Sequence, residues 1–201
     1  MTGTHVTGLP WTTSANPGKY TGTAIVKPNG SKVPDGQGKI IYNDGESYYE
    51  GQWQNGERWF KGAYSCPDYI YDGEWRHDAP NGRGEKQWKN KGIYIGSFVN
   101  GKRDGAGSYT LPDGMTINGI YKSNNLVGKF TKRWPNGDYY TGTWDDRTDT
   151  GQGYGRLHKS KGQIYEGDLK DRGIPHGHGK MIYENGKVRR GTWIDGSFQD
   201  N

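Results

Sequence analysis

The chain has 201 residues, only 29% of them hydrophobic, and a mean hydropathy of -1.10, which excludes a membrane-spanning bundle and leaves little material for a dry two-layer core. Yet 13% of the residues are aromatic and 35 are glycine, a richness in rings that excludes ordinary disorder. The net charge of +5 comes from basic and acidic residues interspersed along the chain, so nothing marks a nucleic-acid partner, and the single cysteine excludes an internal disulfide framework and favours a reducing, cytoplasmic compartment.

Residues 1–18 have neither the charged start nor the apolar middle of a signal peptide and read as an N-terminal extension. From Tyr20 a phrase begins to recur, a tyrosine two residues before a glycine. That glycine falls at Gly22, Gly51, Gly73, Gly96, Gly119, Gly142, Gly167 and Gly191, at steps of 22 to 29 residues. A second phrase, Gly-x-Gly, follows at Gly36/Gly38, Gly82/Gly84, Gly105/Gly107, Gly153/Gly155 and Gly177/Gly179. Phe60 before Gly62 and Phe130 after Gly128 interrupt it. Turn signals then follow at Asn43, Pro67, Lys89, Pro112, Pro135, Ser160 and Glu184.

Turn chemistry sets the register. In Pro112-Asp113-Gly114, proline presets φ at the first loop position and glycine takes the left-handed one, giving a three-residue hairpin loop with Leu111 facing Met115 and Gly107 facing Gly119. The same rule at Pro135, Ser160 and Glu184 sets Phe130 against Gly142, Gly155 against Gly167 and Gly179 against Gly191. Loops of four residues at Asn43, two at Pro67 and three at Lys89 extend the arrangement to the first hairpins. Residues at i, i+2 and i+4 share a strand face. Thus Tyr140, Gly142 and Trp144 point one way, each glycine leaving room for an opposed ring, while Thr141, Thr143, Glu166 and Lys180 point the other.

The expectation is an all-β chain: seven hairpins after an N-terminal strand, in an elongated, single-layer, open antiparallel sheet with an aromatic-lined groove on one face. The array spans residues 19–193, with 194–201 as a C-terminal tail too short to cover the rings. The expected structural glycines are Gly51, Gly73, Gly84, Gly96, Gly107, Gly119, Gly142, Gly155, Gly167, Gly179 and Gly191. The expected partner-binding groove comprises Tyr49, Trp53, Tyr71, Trp75, Tyr94, Phe98, Tyr121, Tyr140, Trp144, Tyr165 and Trp193, because an uncovered apolar strip marks an interaction surface. Open edge strands near Tyr20 and Trp193 would also allow a homodimer.

Catalytic and metal chemistry find little footing. His176 and His178 lack a further ligand at metal spacing, and Asp145, Asp146 and Asp149 share their loop with Arg147. The Gly151–Gly155 run lacks the strand–helix context of a dinucleotide loop, and Cys66 has no histidine fixed beside it. No catalytic residue, metal or cofactor is expected. The expected partner is a protein segment. The rival is an anionic phospholipid surface met by Lys86, Lys89, Lys91, Lys102, Arg103, Lys129, Lys132 and Arg133.

"YIGSFVNGKRDGAGSYTLPDG" from Tyr94 and "YYEGQWQNG" from Tyr48 resemble the membrane occupation and recognition nexus (MORN) repeat. The resemblance spans about residues 19 to 193 in seven or eight copies, departing at Phe60 and Phe130, and at Ile117 and Arg189 in the tyrosine position. It implies a repeat scaffold without catalytic activity that binds protein segments along its groove, with phospholipid contact as a further possibility. It also implies a cytoskeletal setting such as the radial spokes of cilia.

Overall fold

The computed structural model describes residues 3–13, 16–145, 152–170 and 173–200, the side chains of residues 144, 145 and 152 excepted. Its 17 strands form one open antiparallel sheet, and among the described residues there is no helix. The strands are β1 (Thr4–Thr13), β2 (Asn16–Val26), β3 (Lys32–Tyr42), β4 (Tyr48–Gln54), β5 (Glu57–Ser65), β6 (Tyr69–Arg76), β7 (Ala79–Trp88), β8 (Gly92–Val99), β9 (Lys102–Thr110), β10 (Thr116–Lys122), β11 (Asn125–Arg133), β12 (Tyr139–Asp145), β13 (Gln152–His158), β14 (Ile164–Lys170), β15 (Ile174–Ile182), β16 (Val188–Ile194) and β17 (Ser197–Phe198). They fall into two compact units, residues 1–107 and 108–201.

In the first unit β1 to β8 each pair with the next strand in the chain. Gly22, Gly38, Gly51, Gly62, Gly73, Gly84 and Gly96 stand opposite one another in turn and form a continuous glycine ladder. The expected loops close it. Tyr42 N donates to Ser47 O at 3.0 Å, Cys66 N donates to Tyr69 O at 3.0 Å, and Trp88 pairs with Gly92.

The links on the other side of each repeat are turns that the sequence reading did not identify. Both central residues have positive φ at Asn55–Gly56 (51° and 88°), His77–Asp78 (48° and 61°) and Asn100–Gly101 (47° and 77°). These are two-residue type I′ hairpins, whose twist matches that of the flanking strands. The two glycines of Gly-x-Gly also do different work. Between the pairs Gly73–Gly84 and Trp75–Pro80, three residues of β7 oppose one of β6, and Gly82 takes φ 101° at this bulge. Gly36 does the same at φ 96°. The first glycine bends the strand and the second stands in the ladder.

In the second unit β10 to β17 likewise pair in sequence. The predicted registers are observed: Phe130 faces Gly142, Gly155 faces Gly167 and Gly179 faces Gly191. Three-residue loops close with Leu111 N donating to Met115 O at 2.8 Å and Trp134 N donating to Asp138 O at 2.9 Å. Lys159 N to Gln163 O and Tyr183 N to Lys187 O, both 2.8 Å, close two more.

Both terminal segments contribute strands beyond the expected hairpins. The expected N-terminal extension contains β1, whose Trp11 indole donates to Gly56 O at 2.9 Å. The expected tail contains β17, which places the Phe198 ring 5.2 Å from that of Trp193.

Candidate functional site: a glycine-floored trough behind a buried aromatic ladder

The rings of the first unit form a zipper. Tyr20 meets Trp53, Trp53 meets Tyr49, Tyr49 meets Trp75, Trp75 meets Tyr71, Tyr71 meets Phe98 and Phe98 meets Tyr94, every contact edge-to-face with centroids 5.1–5.2 Å apart. This is the arrangement the ring quadrupole favours. Each phenol lies down over the ladder: a Cβ added to Gly62, Gly84 or Gly107 would overlap the ring of Tyr49, Tyr71 or Tyr94. The hydroxyls reach the carbonyl three residues on. Tyr49 donates to Gln52 O at 2.9 Å, Tyr71 to Glu74 O at 2.8 Å and Tyr94 to Ser97 O at 3.2 Å. Indoles cap the ladder carbonyls, Trp53 donating to Gly38 O at 3.1 Å and Trp75 to Gly62 O at 2.8 Å.

The second unit repeats the device, with Tyr140 and Tyr165 donating to Thr143 O and Asp168 O and Trp193 to Gly179 O. Phe130, Tyr140, Leu157, Tyr165, Leu169, Met181 and Trp193 form its core. Burial pushes the phenols of Tyr20, Tyr49 and Tyr71 well above the ordinary tyrosine range and those of Tyr140 and Tyr165 up to about 12.

This packing corrects one expectation. Tyr49, Trp53, Tyr71, Trp75, Tyr94, Phe98, Tyr121, Tyr140, Tyr165 and Trp193 are not an uncovered strip, for each is at most 4% exposed. The physical reason is that Tyr49, Tyr71, Tyr94, Tyr140 and Tyr165 lie on ladder glycines while neighbouring rings meet them edge-on, so the covering is internal. The eleventh, Trp144, has a side chain outside the described residues, as do Asp145 and the whole of Asp146 and Asp149.

What remains open is the opposite face. Strand alternation sends the residues between the rings there. In the first unit Lys61, Asp72, Glu74, Arg83, Glu85, Ile95 and Ala106 flank a trough of about 680 Å³ whose floor is Gly73, Gly84, Gly96 and Gly107. These glycines stay partly exposed although phenols cover their ring side, so the exposure belongs to the trough. One wall sets Asp72 directly opposite Glu85 and Glu85 opposite Ile95. The other sets Lys61 opposite Glu74, whose Oε1 accepts a hydrogen bond from Arg83 N at 3.0 Å. In the second unit the corresponding face is bridged by side-chain ion pairs, Glu166 pairing with both Arg156, at 3.0 Å, and Lys180.

Several of the basic residues weighed for lipid contact do not stand free. Lys86 lies 3.6 Å from the centre of the Tyr69 ring, and burial holds its ammonium below the ordinary lysine range. Arg103 sits over Tyr94, Lys132 over Trp134 and Arg133 over Tyr139. Half of the eight are thus turned onto the protein's own rings. Nδ1 of His176 lies 3.4 Å from the Asp195 carboxylate, and Cys66 Sγ donates weakly to Tyr69 O at 3.5 Å. Among the described residues no group of three or more His, Cys, Asp or Glu side chains is placed to hold a metal.

A sheet of stacked hairpins with a ring-covered glycine ladder defines a class of β-hairpin repeat protein. The sequence matches the MORN repeat over residues 32–47, 49–69, 71–93, 94–116 and 165–188, just over half of its length, and the chain belongs to the MORN repeat family. It is 31% identical to human alsin over 132 residues, 63% of this chain and 7% of alsin. It is 33% identical to MORN repeat-containing protein 3 of Xenopus laevis over 94 residues, 46% of this chain and 32% of that protein. The chain thus spans a small part of alsin and about a third of the Xenopus relative. Among solved structures, it is similar to the SAS-4 (dCPAP) TCP domain of Drosophila melanogaster in complex with a proline-rich motif of Ana2, at TM-score 0.49 and 14% identity. That likeness covers 85% of this chain and 89% of the solved chain.

Proposed function

We propose that the protein is a non-catalytic protein–protein interaction scaffold that receives a segment of its partner along the trough of the first unit. The observation that carries this reading is the partly exposed glycine floor of Gly73, Gly84, Gly96 and Gly107. Bare backbone lets a partner approach as closely as the protein's own phenols do on the other side. The ten described rings anticipated as binding residues act through the floor they build and support. Membership of a repeat family whose members stack modules supports a scaffold, and the setting we propose for it is the cytoplasm, within a cytoskeletal or ciliary assembly. Affinity capture with mass spectrometry tests it. Ala106→Trp, which fills the trough from an exposed position, is expected to remove the specific interactors of the full chain. An unchanged interactor set with folded Ala106→Trp refutes the trough as the binding surface.

A further inference from the structure

One residue departs from the repeat in a way that little packing among the described residues offsets. At the bulge position where Gly36, Gly82 and Gly105 take φ 96°, 101° and 106°, β5 places Phe60, at φ 53°. A bulky side chain in the left-handed region is strained where glycine is not. The ring gains little packing in return, since it is 60% exposed and its aromatic contact is Trp59, with centroids 6.3 Å apart. Strain kept without internal compensation points to a function for the side chain.

A second feature stands nearby in the same unit. Asp72 and Glu85 face each other directly on β6 and β7, a like-charge pairing that disfavours the sheet. Among the described residues neither carboxylate has an ion-pair partner. Phe60 is in register with Trp75, three residues along β6 from Asp72, but the bulge turns this position to the outward face, as a Cβ at its counterparts Gly82 and Gly36 would meet the outward Glu74 and Thr23 side chains. Along the strand direction the separation is therefore about 10 Å, the reach of three residues of extended chain.

We propose that the trough selects an extended peptide segment in which a lysine or arginine lies two or three residues from an aromatic or large aliphatic side chain. The cation sits between Asp72 and Glu85 and the apolar group packs on Phe60, with Ile95, itself 56% exposed, widening the apolar contact. The same carboxylate pair repels phosphate-bearing surfaces, so the charge favours a basic peptide over a lipid headgroup or a nucleic acid. This inference rests on the trough being the protein-binding surface.

Affinity selection from a random peptide library displayed on phage, against the full chain, tests it. Enriched peptides are expected to carry the basic–apolar pair. They are expected to bind Phe60→Gly at least about tenfold more weakly, although that variant resists denaturant no less than the parent. Asp72→Asn with Glu85→Gln is expected to abolish the preference for basic residues. Enriched peptides without a basic residue, or bound equally by Phe60→Gly, overturn the inference but leave the trough reading standing. Failure to enrich any peptide, or enrichment indifferent to Ala106→Trp, overturns the trough reading and the inference together.

Discussion

Replacing Gly62 with alanine isolates the physical basis of the fold. In an ordinary extended strand this change stabilises by about 0.5–1 kcal/mol, because the unfolded chain loses freedom. Here the new methyl would stand 2.5 Å from Cζ of Tyr49, inside the ring's own volume. The phenol cannot slide away cheaply. It is fully buried, its hydroxyl donates to Gln52 O at 2.9 Å, and Trp53 and Trp75 meet it edge-on at 5.2 and 5.1 Å. Displacement weakens a hydrogen bond of about 1 kcal/mol and two ring pairs of about 0.5–1.5 kcal/mol each. Forcing the methyl in without displacement costs about 1–3 kcal/mol of overpacking. After subtracting the entropic gain, the two routes agree on a destabilisation by Gly62→Ala of about 1–2.5 kcal/mol, read from urea unfolding followed by tryptophan fluorescence. Tyr49→Leu removes the obstacle, so the double-mutant cycle is expected to show a coupling of about 1–3 kcal/mol. A neutral or stabilising Gly62→Ala in the parent chain, or strict additivity with Tyr49→Leu, would refute the idea that phenols lying on glycine hold the sheet together.

Three further outcomes follow from the same geometry. Phe60→Gly is expected to raise stability by about 1 kcal/mol in urea titration, since it removes a left-handed φ of 53° from a bulky residue; a loss of stability would show that the ring packs more than its exposure indicates. Arg58, whose side chain is only 10% exposed, lies over the rings of Trp75, Tyr49 and Tyr64 and pairs with Asp78 at 3.2 Å. Arg58→Ala is expected to cost about 3–5 kcal/mol, whereas Lys39→Ala, which breaks an exposed pair with Glu50, should cost less than about 1 kcal/mol; equal effects would contradict the burial argument. The third concerns alkali. Burial raises the Tyr140 and Tyr165 phenols from 10.0 to about 12. Between those values the folded state holds protons that the unfolded state releases, so stability is full below pH 10 and falls as pH rises towards 12. Circular dichroism should record a loss of denaturant resistance in that window, and a flat profile from pH 9 to 12 would count against buried, neutral phenols.

Period, register and fold class were legible in the sequence because each is set locally. Proline and glycine at Pro112 and Gly114 define a loop, a loop defines which residues face each other, and alternation then puts Tyr71, Gly73 and Trp75 on one face. The Asn55–Gly56 and Asn100–Gly101 turns were as legible in principle, since Asn-Gly is a strong hairpin signal. They were hidden by reading both glycines of Gly-x-Gly as one kind, when the first is a bulge and only the second stands in the ladder. Tertiary structure alone decided which face is covered. Sharing a face does not say whether rings stand up into solvent or lie down and seal one another. That outcome depends on contacts between neighbouring hairpins, such as Tyr49 with Trp75 and Tyr71 with Phe98. Once those contacts close, the rings are interior, and the surface left open is the bare backbone behind them.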